Sequence, residues 1–216
     1  GEVPENVQKE FKVLQLINGY RQRGHLFTHT NPVRERRQYA PTLDIENFGL
    51  EKKDLETVFQ AGSDVKIGAA KLKDIIAHLE TVYCQSIGVE FMYMRSPEKI
   101  EWMRNRLHSN SNLPTYSKEQ KHRIFDKLNQ ASGFESFLHT KFTGQKRFSI
   151  EGSESLIPAL DMLISHGAEL GVEEMVVGMA HRGRLNVLVN IVGKTYERLF
   201  REFEVGVEEG AIQGSG

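Results

Sequence analysis

The sequence predicts an α/β protein in which a helical first part is followed by alternating strands and helices. Apolar residues recur at helical spacing as far as residue 142. Residues 147–192 then alternate strand, helix, strand and helix, the pattern of a parallel α/β unit. The second strand of this unit runs into a basic turn, and a helix follows the turn. Ligands in open α/β sheets bind at such strand ends, so this turn is the candidate site.

The composition is that of an ordinary globular protein. Apolar residues make up 39% and charged residues 26% of the 216 residues, enough for a buried core. The formal net charge of -1 does not favour nucleic-acid binding, which needs a basic excess. Cys84 is the only cysteine, which excludes an intrachain disulfide and a cysteine-rich zinc site. No apolar run is as long as a membrane span, so we expect neither nucleic-acid nor membrane partners.

Apolar periodicity predicts the first helices. It favours a helix over residues 4–23, and Gly24 is a suitable residue to end that helix. Shorter amphipathic helices are predicted at 51–60 and at 70–83. The charged, irregular residues 34–47 are expected to cross the surface.

Capping sequences predict where the next helices start. Ser96 stands before a proline at the first helical position, which is a strong start signal. Ser117 and Gln120 have the spacing of a capping box. A separate helix is predicted for the aromatic stripe Phe134–Phe142, which we expect to be core.

The α/β pattern begins after residue 146. Residues 146–152 predict a brief strand and turn, and the helix after them has Ser153 or Ser155 as its cap. Residues 174–178 predict the second strand. The last predicted helix runs from Leu185 towards Gly193.

These elements predict two domains. A helical N-terminal region is expected over 1–112, and the beginning of an α/β domain over 113–216. The boundary lies within 109–116, with a position near 144 as the alternative. Two strands do not complete a parallel sheet, and 206–216 predict no closing element. We therefore expect the chain to be the N-terminal part of a longer protein.

The basic turn carries the residues of the candidate site. His181, Arg182 and Arg184 stand just before or at the start of a predicted helix. A helix N-terminus offers free N–H groups to anions, and arginine pairs well with phosphate or carboxylate. The alternative, which stays open at this point, is that both arginines are solvated surface charges and that His181 only caps the turn.

Four blocks of sequence, taken in order, carry a resemblance to a known family. They are LINGYRQRGH (16–25), ETVYCQSIGVEFMYM (80–94), KRFSIEGSESLIPAL (146–160) and VVGMAHRGRLNVLVNIVGK (176–194). Together they resemble the thiamine-diphosphate-dependent component of 2-oxoglutarate dehydrogenase, and 2-oxoadipate dehydrogenases share them. The departures are Asn31-Pro32-Val33, where the family usually has Asp-Pro-Leu, and the poorly matching residues 34–47.

The resemblance implies a fold, a reaction and roles for named residues. It implies that residues after the helical region form the first strand–helix units of a thiamine-diphosphate-binding parallel-sheet domain. The reaction is decarboxylation of 2-oxoglutarate, followed by transfer of the succinyl unit to the lipoyl group of a partner succinyltransferase. His181 falls on a catalytic position, Arg182 on a substrate- and cofactor-binding position, and Phe148 on a substrate-binding position. Arg184 and Asn186 are expected to support the turn.

The resemblance also implies cofactors and partners. Thiamine diphosphate and Mg²⁺ are expected, with the metal ligands outside these 216 residues because the family's Gly-Asp-Gly…Asn motif is absent. No metal ligand is therefore assigned here. The full-length protein is expected to be a homodimer, cytoplasmic in a bacterium or in the mitochondrial matrix of a eukaryote, and this chain alone is expected to be inactive. The alternatives are a 2-oxoadipate dehydrogenase and a non-catalytic helical docking module.

Overall fold

The computed structural model describes residues 3–35, 42–144 and 146–209, and most of them are helical. The chain divides into two units, Gly1–Thr115 and Tyr116–Gly216. The α-helices of the first unit are α1 (Glu5–Arg23), α2 (Leu72–Tyr83) and α3 (Pro97–Ser109). Those of the second unit are α4 (Lys118–Lys141), α5 (Leu156–Glu169), α6 (Arg184–Asn190) and α7 (Tyr196–Glu209).

The core of the first unit lies between α1 and α2. The helices predicted at 4–23 and 70–83 are confirmed, and α2 buries the apolar face that its periodicity predicts. The face predicted for α1 is wrong, because Val7 and Phe11 are exposed and the helix instead packs through residues centred on Leu16 and Ile17. Gly24 follows α1 where a Cβ atom would lie 2.6 Å from Cβ of Tyr83, so the close packing of the two helices requires glycine. The buried contacts of this interface come from Val13, Leu16, Ile17, Leu72, Ile75, Leu79 and Val82.

The helix predicted at 51–60 is wrong. Residues Lys52–Glu56 form a 3-10 turn, and strand β1 (Val58–Phe59) pairs antiparallel with strand β2 (Ala70–Lys71). The buried Asp54 accepts hydrogen bonds from the N–H of Glu51 at 2.8 Å and from Nζ of Lys9 at 2.7 Å. The Asp54 carboxylate therefore closes a single turn. The β-branched Val58 then favours the extended backbone of β1.

The capping predictions for α3 and α4 are confirmed, but α4 is longer than predicted. Ser96 Oγ accepts a hydrogen bond from the N–H of Lys99, and Ser117 forms the capping box with Gln120. The aromatic stripe predicted as a separate helix continues α4 without interruption. Gly133 lies within this helix, where glycine is unfavourable by ~1 kcal/mol. The burial of neighbouring residues outweighs that effect, the fully or nearly fully buried ones being Ala131, Phe134 and Leu138.

The strands predicted in the second unit are wrong for the described residues. Segments 146–152 and 174–178 contain no strand, and the sheet formed by β1 and β2 is antiparallel and belongs to the first unit. The apolar run at 175–177 has strand composition, yet Val176 is 92% exposed. A strand forms only where a neighbouring strand accepts and donates its backbone hydrogen bonds, and the described residues supply none here. The described residues are thus largely helical with one two-stranded antiparallel sheet, which agrees with the predicted helical region, and the predicted parallel sheet is not found among them.

The helices predicted around the candidate site are present. The helix after Ser155 starts at Leu156, with the buried Pro158 in its first turn, although the Ser155 side chain makes no capping bond. The helix after the basic turn is α6. Helix α7 was not predicted, and it includes residues 206–209 of the tail that was expected to lack an element. Residues 210–216, and residues 36–41 of the predicted surface segment 34–47, lie outside the described residues.

A buried chain of hydrogen bonds links α2 to α3. The hydroxyl of Tyr83 lies 2.9 Å from Nε2 of His108, and Nδ1 of His108 lies 2.9 Å from Nε2 of His78. Both polar atoms of the His108 ring are satisfied when the hydroxyl donates to Nε2 and Nδ1–H donates to His78. Burial, assisted by His78 and by the nearby Arg21, lowers the pKa of His108 to about 4. The network therefore favours a neutral His108.

We expect the free energy of unfolding to rise with pH between about 4 and 6.5. In this range the unfolded chain binds a proton at His108 and the folded chain does not. The contribution of His108 to the free energy of unfolding is therefore fully present above pH 6.5 and is lost as the pH falls towards 4. At ~1.4 kcal/mol per pKa unit, the effect amounts to about 3 kcal/mol. Urea unfolding at several pH values measures it. His108→Gln should reduce the pH dependence of the free energy of unfolding, and the exposed control His122→Gln should not. The same pH dependence in the wild type and in both variants would contradict the role of His108.

Candidate functional site

The candidate site forms where the basic turn meets segment 146–151. Gly183 has φ of 74° and precedes α6, a left-handed conformation that glycine adopts without strain. Its N–H donates a 2.7 Å hydrogen bond to the carbonyl of Phe148. A Cβ atom on Gly183 would lie 2.8 Å from Cγ1 of Ile150, so the two backbones approach as closely as they do only because this residue has no side chain. This contact brings Phe148 beside the basic turn.

Phe148 and His181 stack on one another. Their ring centroids are 5.0 Å apart and their planes differ by 30°. Phe148 has φ of 47°, an uncommon value for a residue with a side chain, and its ring remains 53% exposed. The His181 ring is also exposed, so it is accessible to a ligand.

The two arginines of the turn have different surroundings. Nη2 of Arg182 donates to the carbonyl of Glu151, so this guanidinium joins the turn to segment 146–151. Arg184 lies at the first position of α6 and is exposed. Arg184 lines the cavity described next, and Arg182 does not.

Asn186 is the buried residue of the motif. Its side chain is fully buried, and Nδ2 donates to the carbonyl of Ala131 at 3.0 Å and to Oε1 of Glu135 at 3.2 Å. Its own amide oxygen accepts a 2.7 Å hydrogen bond from Asn190. Asn186 thus holds α6 against α4, which fixes the helix that follows the site.

A cavity of about 660 Å³ opens beside the stacked rings. We call it the cationic cavity because four basic side chains line it and the single acidic one, Glu202, is paired with Lys194 at 2.7 Å. The remaining positive charge makes it suitable for a carboxylate or phosphate. Its lining consists of Lys146, Arg147, Phe148, His181, Arg184, Leu185, Leu188, Lys194, Glu202 and Phe203.

The sequence identified part of this lining. Phe148, His181 and Arg184 come together as one wall of the cavity, whereas the side chains of Arg182 and Asn186 hold the surrounding backbone. Lys146, Arg147 and Lys194 were not predicted as site residues. The basic pair before Phe148 was a usable signal, but Lys194 follows α6 and reaches the cavity only through the fold.

Candidate metal-ligand clusters and membrane-spanning helices are both absent from the part of the chain that the structure describes. No group of three or more histidine, cysteine or carboxylate side chains within it could hold a metal ion. None of its helices combines the length and the apolar character needed to cross a membrane.

The chain is similar to proteins of 2-oxoglutarate metabolism, which confirms the resemblance of its four blocks. No protein-family model matches it. It is 43% identical, over 99% of its length, to the multifunctional 2-oxoglutarate metabolism enzyme of Mycolicibacterium vanbaalenii. It is 40% identical over its full length to the mitochondrial 2-oxoglutarate dehydrogenase of Saccharomyces cerevisiae, and 43% identical over 93% of its length to the 2-oxoglutarate dehydrogenase E1 component of Azotobacter vinelandii. It covers 17%, 22% and 21% of these relatives, about a fifth of their length.

The contact between Gly183 and Ile150 is testable. Gly183→Ala should lower the free energy of unfolding by about 2–5 kcal/mol, the sum of left-handed backbone strain and overpacking. The matched control is Gly171→Ala, because Gly171 has φ of 89° but nothing within 4 Å of an added Cβ. Denaturant unfolding of both variants measures the difference. Equal losses would show that the close approach to Ile150 contributes nothing.

Proposed function

We propose that this chain is part of a thiamine-diphosphate-dependent 2-oxoglutarate dehydrogenase. The whole protein decarboxylates 2-oxoglutarate and passes the succinyl unit to the lipoyl group of a partner succinyltransferase. The observation that carries this proposal is the cationic cavity beside the Phe148–His181 stack, in a chain about 40% identical to proteins named for that reaction. A dicarboxylate substrate and a diphosphate cofactor both need fixed cations.

The residues present fit an anionic cofactor and substrate. The cavity offers Lys146, Arg147 and Arg184 as cations that no cavity carboxylate neutralises. On the resemblance we assign substrate binding to Phe148 and Arg182 and the cofactor phosphates to Arg182, which does not itself line the cavity, with support from Arg184, which does. When bound, thiamine diphosphate supplies the electron sink for decarboxylation. We propose that ligands elsewhere in the whole protein hold Mg²⁺, since the described residues contain no group of three or more histidine, cysteine or carboxylate side chains that could hold a metal ion.

His181 is assigned the catalytic role. Its exposed ring faces the cavity, and the stack on Phe148 restricts its orientation. An imidazole ring carries both a donor and an acceptor nitrogen, so His181 can hydrogen-bond the keto oxygen of the substrate and transfer a proton there. Arg182 keeps the turn in place through the Glu151 carbonyl, and its other N–H groups are available for a carboxylate.

The proposal extends to the domain and the assembly. Residues 113–216 would be the beginning of a thiamine-diphosphate-binding domain. A stretch of exposed apolar side chains supports this, because Leu170, Val172 and Val176 are 73%, 46% and 92% exposed and such a patch is typical of a surface that another part of a protein covers. The whole enzyme is proposed to be a homodimer, cytoplasmic in a bacterium or in the mitochondrial matrix of a eukaryote.

Replacing the catalytic histidine in the complete enzyme tests the proposal. His181→Ala should lower kcat/KM for 2-oxoglutarate by about 10²–10⁴-fold, the range for loss of a general acid–base group. The melting temperature should change little because the ring is exposed. The control is His166→Ala on α5, an exposed histidine whose ring pairs with the exposed Glu169. Full specific activity of His181→Ala, together with a large loss of stability, would assign His181 a structural role.

The 216-residue chain alone is expected to be inactive. The cationic cavity supplies cations for a diphosphate, but the described residues contain no cluster of three or more side chains that could hold the metal that would neutralise it. Calorimetric titration of this chain with thiamine diphosphate and Mg²⁺, beside a decarboxylation assay, measures both properties. We expect weak binding that does not depend on Mg²⁺ and no turnover. Tight Mg²⁺-dependent binding would place metal ligands within this chain.

A further inference from the structure

Glu135 on α4 accepts hydrogen bonds from both parts of the candidate site. Its Oε1 atom accepts from the backbone N–H of Ile150 at 3.3 Å and from Nδ2 of Asn186 at 3.2 Å. Ile150 belongs to the segment that carries Phe148, and Asn186 belongs to the helix that follows His181. A single carboxylate oxygen therefore joins the two segments whose rings stack.

The surroundings of Glu135 indicate that its side chain positions the residues that donate to it. Its second oxygen, Oε2, is buried and receives no hydrogen bond from the described residues. Nη1 of Arg147 lies 3.5 Å from the backbone carbonyl of Glu135, so this guanidinium contacts the main chain of the residue. A buried acceptor without a donor is unfavourable for stability. The unpaired Oε2 atom makes a carboxylate at this position unfavourable for stability. The two hydrogen bonds that Oε1 accepts give the side chain a role in holding Ile150 and Asn186.

We propose that Glu135 is a positioning residue for the Phe148–His181 stack. It does not line the cationic cavity and acts through Ile150 and Asn186. Ile150 packs against Gly183, so the position of Ile150 sets that of the turn. Without the carboxylate, Ile150 loses the acceptor of its N–H, and Asn186 keeps only the Ala131 carbonyl for its Nδ2. The structural part of this inference is independent of the reaction, and its catalytic consequence rests on the proposed function.

The stack gives a readout that does not need activity. In NMR spectra of the 216-residue chain, the ring current of Phe148 shifts the His181 ring protons, and Phe148→Leu supplies the unstacked reference. Glu135→Ala should move these shifts to the reference values. Glu135→Gln keeps an acceptor oxygen and should retain the wild-type shifts. The control Asp126→Ala removes an exposed carboxylate from the same helix and should change nothing.

Each outcome decides the inference. Wild-type His181 shifts in Glu135→Ala would overturn it. If Glu135→Ala instead loses the dispersed amide signals of the second unit, Glu135→Asp decides, because its carboxylate is one methylene too short to keep both hydrogen bonds. We expect Glu135→Asp to fold and to lose the stacked shifts; unchanged shifts would overturn the positioning role.

The complete enzyme separates this inference from the proposed function. Glu135→Ala should lower kcat for 2-oxoglutarate by ~10- to 100-fold, as expected for a small displacement of catalytic groups, and Glu135→Gln should restore most of it. If the His181 shifts move and turnover does not change, Glu135 positions the stack but His181 is not catalytic. If neither changes, the positioning role itself is wrong.

Discussion

The close contact between Gly183 and Ile150 is the constraint on which the candidate site depends. A side chain at position 183 would overlap Ile150, and Ile150 is 1% exposed in a small core with Ala131, Ile157 and Val187. The core therefore fixes Ile150, Ile150 fixes the turn, and the turn's N–H fixes Phe148. The exposed rings of the site thus take their position from buried apolar packing behind them.

Neighbouring residues of one short motif serve opposite purposes. His181 and Arg184 are exposed and face the cavity, while Asn186, two residues further on, is fully buried and satisfies the carbonyl of Ala131. An asparagine is tolerated there because its donors and acceptor all have partners, and a buried amide without them would be strongly unfavourable. Polar residues in this motif consequently cannot be divided into functional and structural ones by residue type alone.

Local signals predicted what depends on local chemistry. The caps at Ser96 and Ser117 and the apolar face of α2 needed only neighbouring residues, and they were predicted correctly. Of the residues that line the cavity, Phe148, His181 and Arg184 were candidates from the sequence. Lys194 was missed because it follows α6 and joins the cavity only through packing. Segment 51–60 was wrong because the buried Asp54 closes its turn through Lys9, forty-five residues away.

The predicted strand at 174–178 failed because a strand also depends on residues that are distant in the sequence. Met175–Val177 has the composition of a buried strand, but burial of a strand is a property of its neighbours as much as of its own residues. Val176 is 92% exposed because the described residues place no backbone or apolar surface beside it. The turn that follows nevertheless adopts a defined geometry, since its contacts to Phe148 and Ile150 do not pass through that segment. The candidate site is therefore held by α4, α6 and segment 146–151 rather than by a sheet.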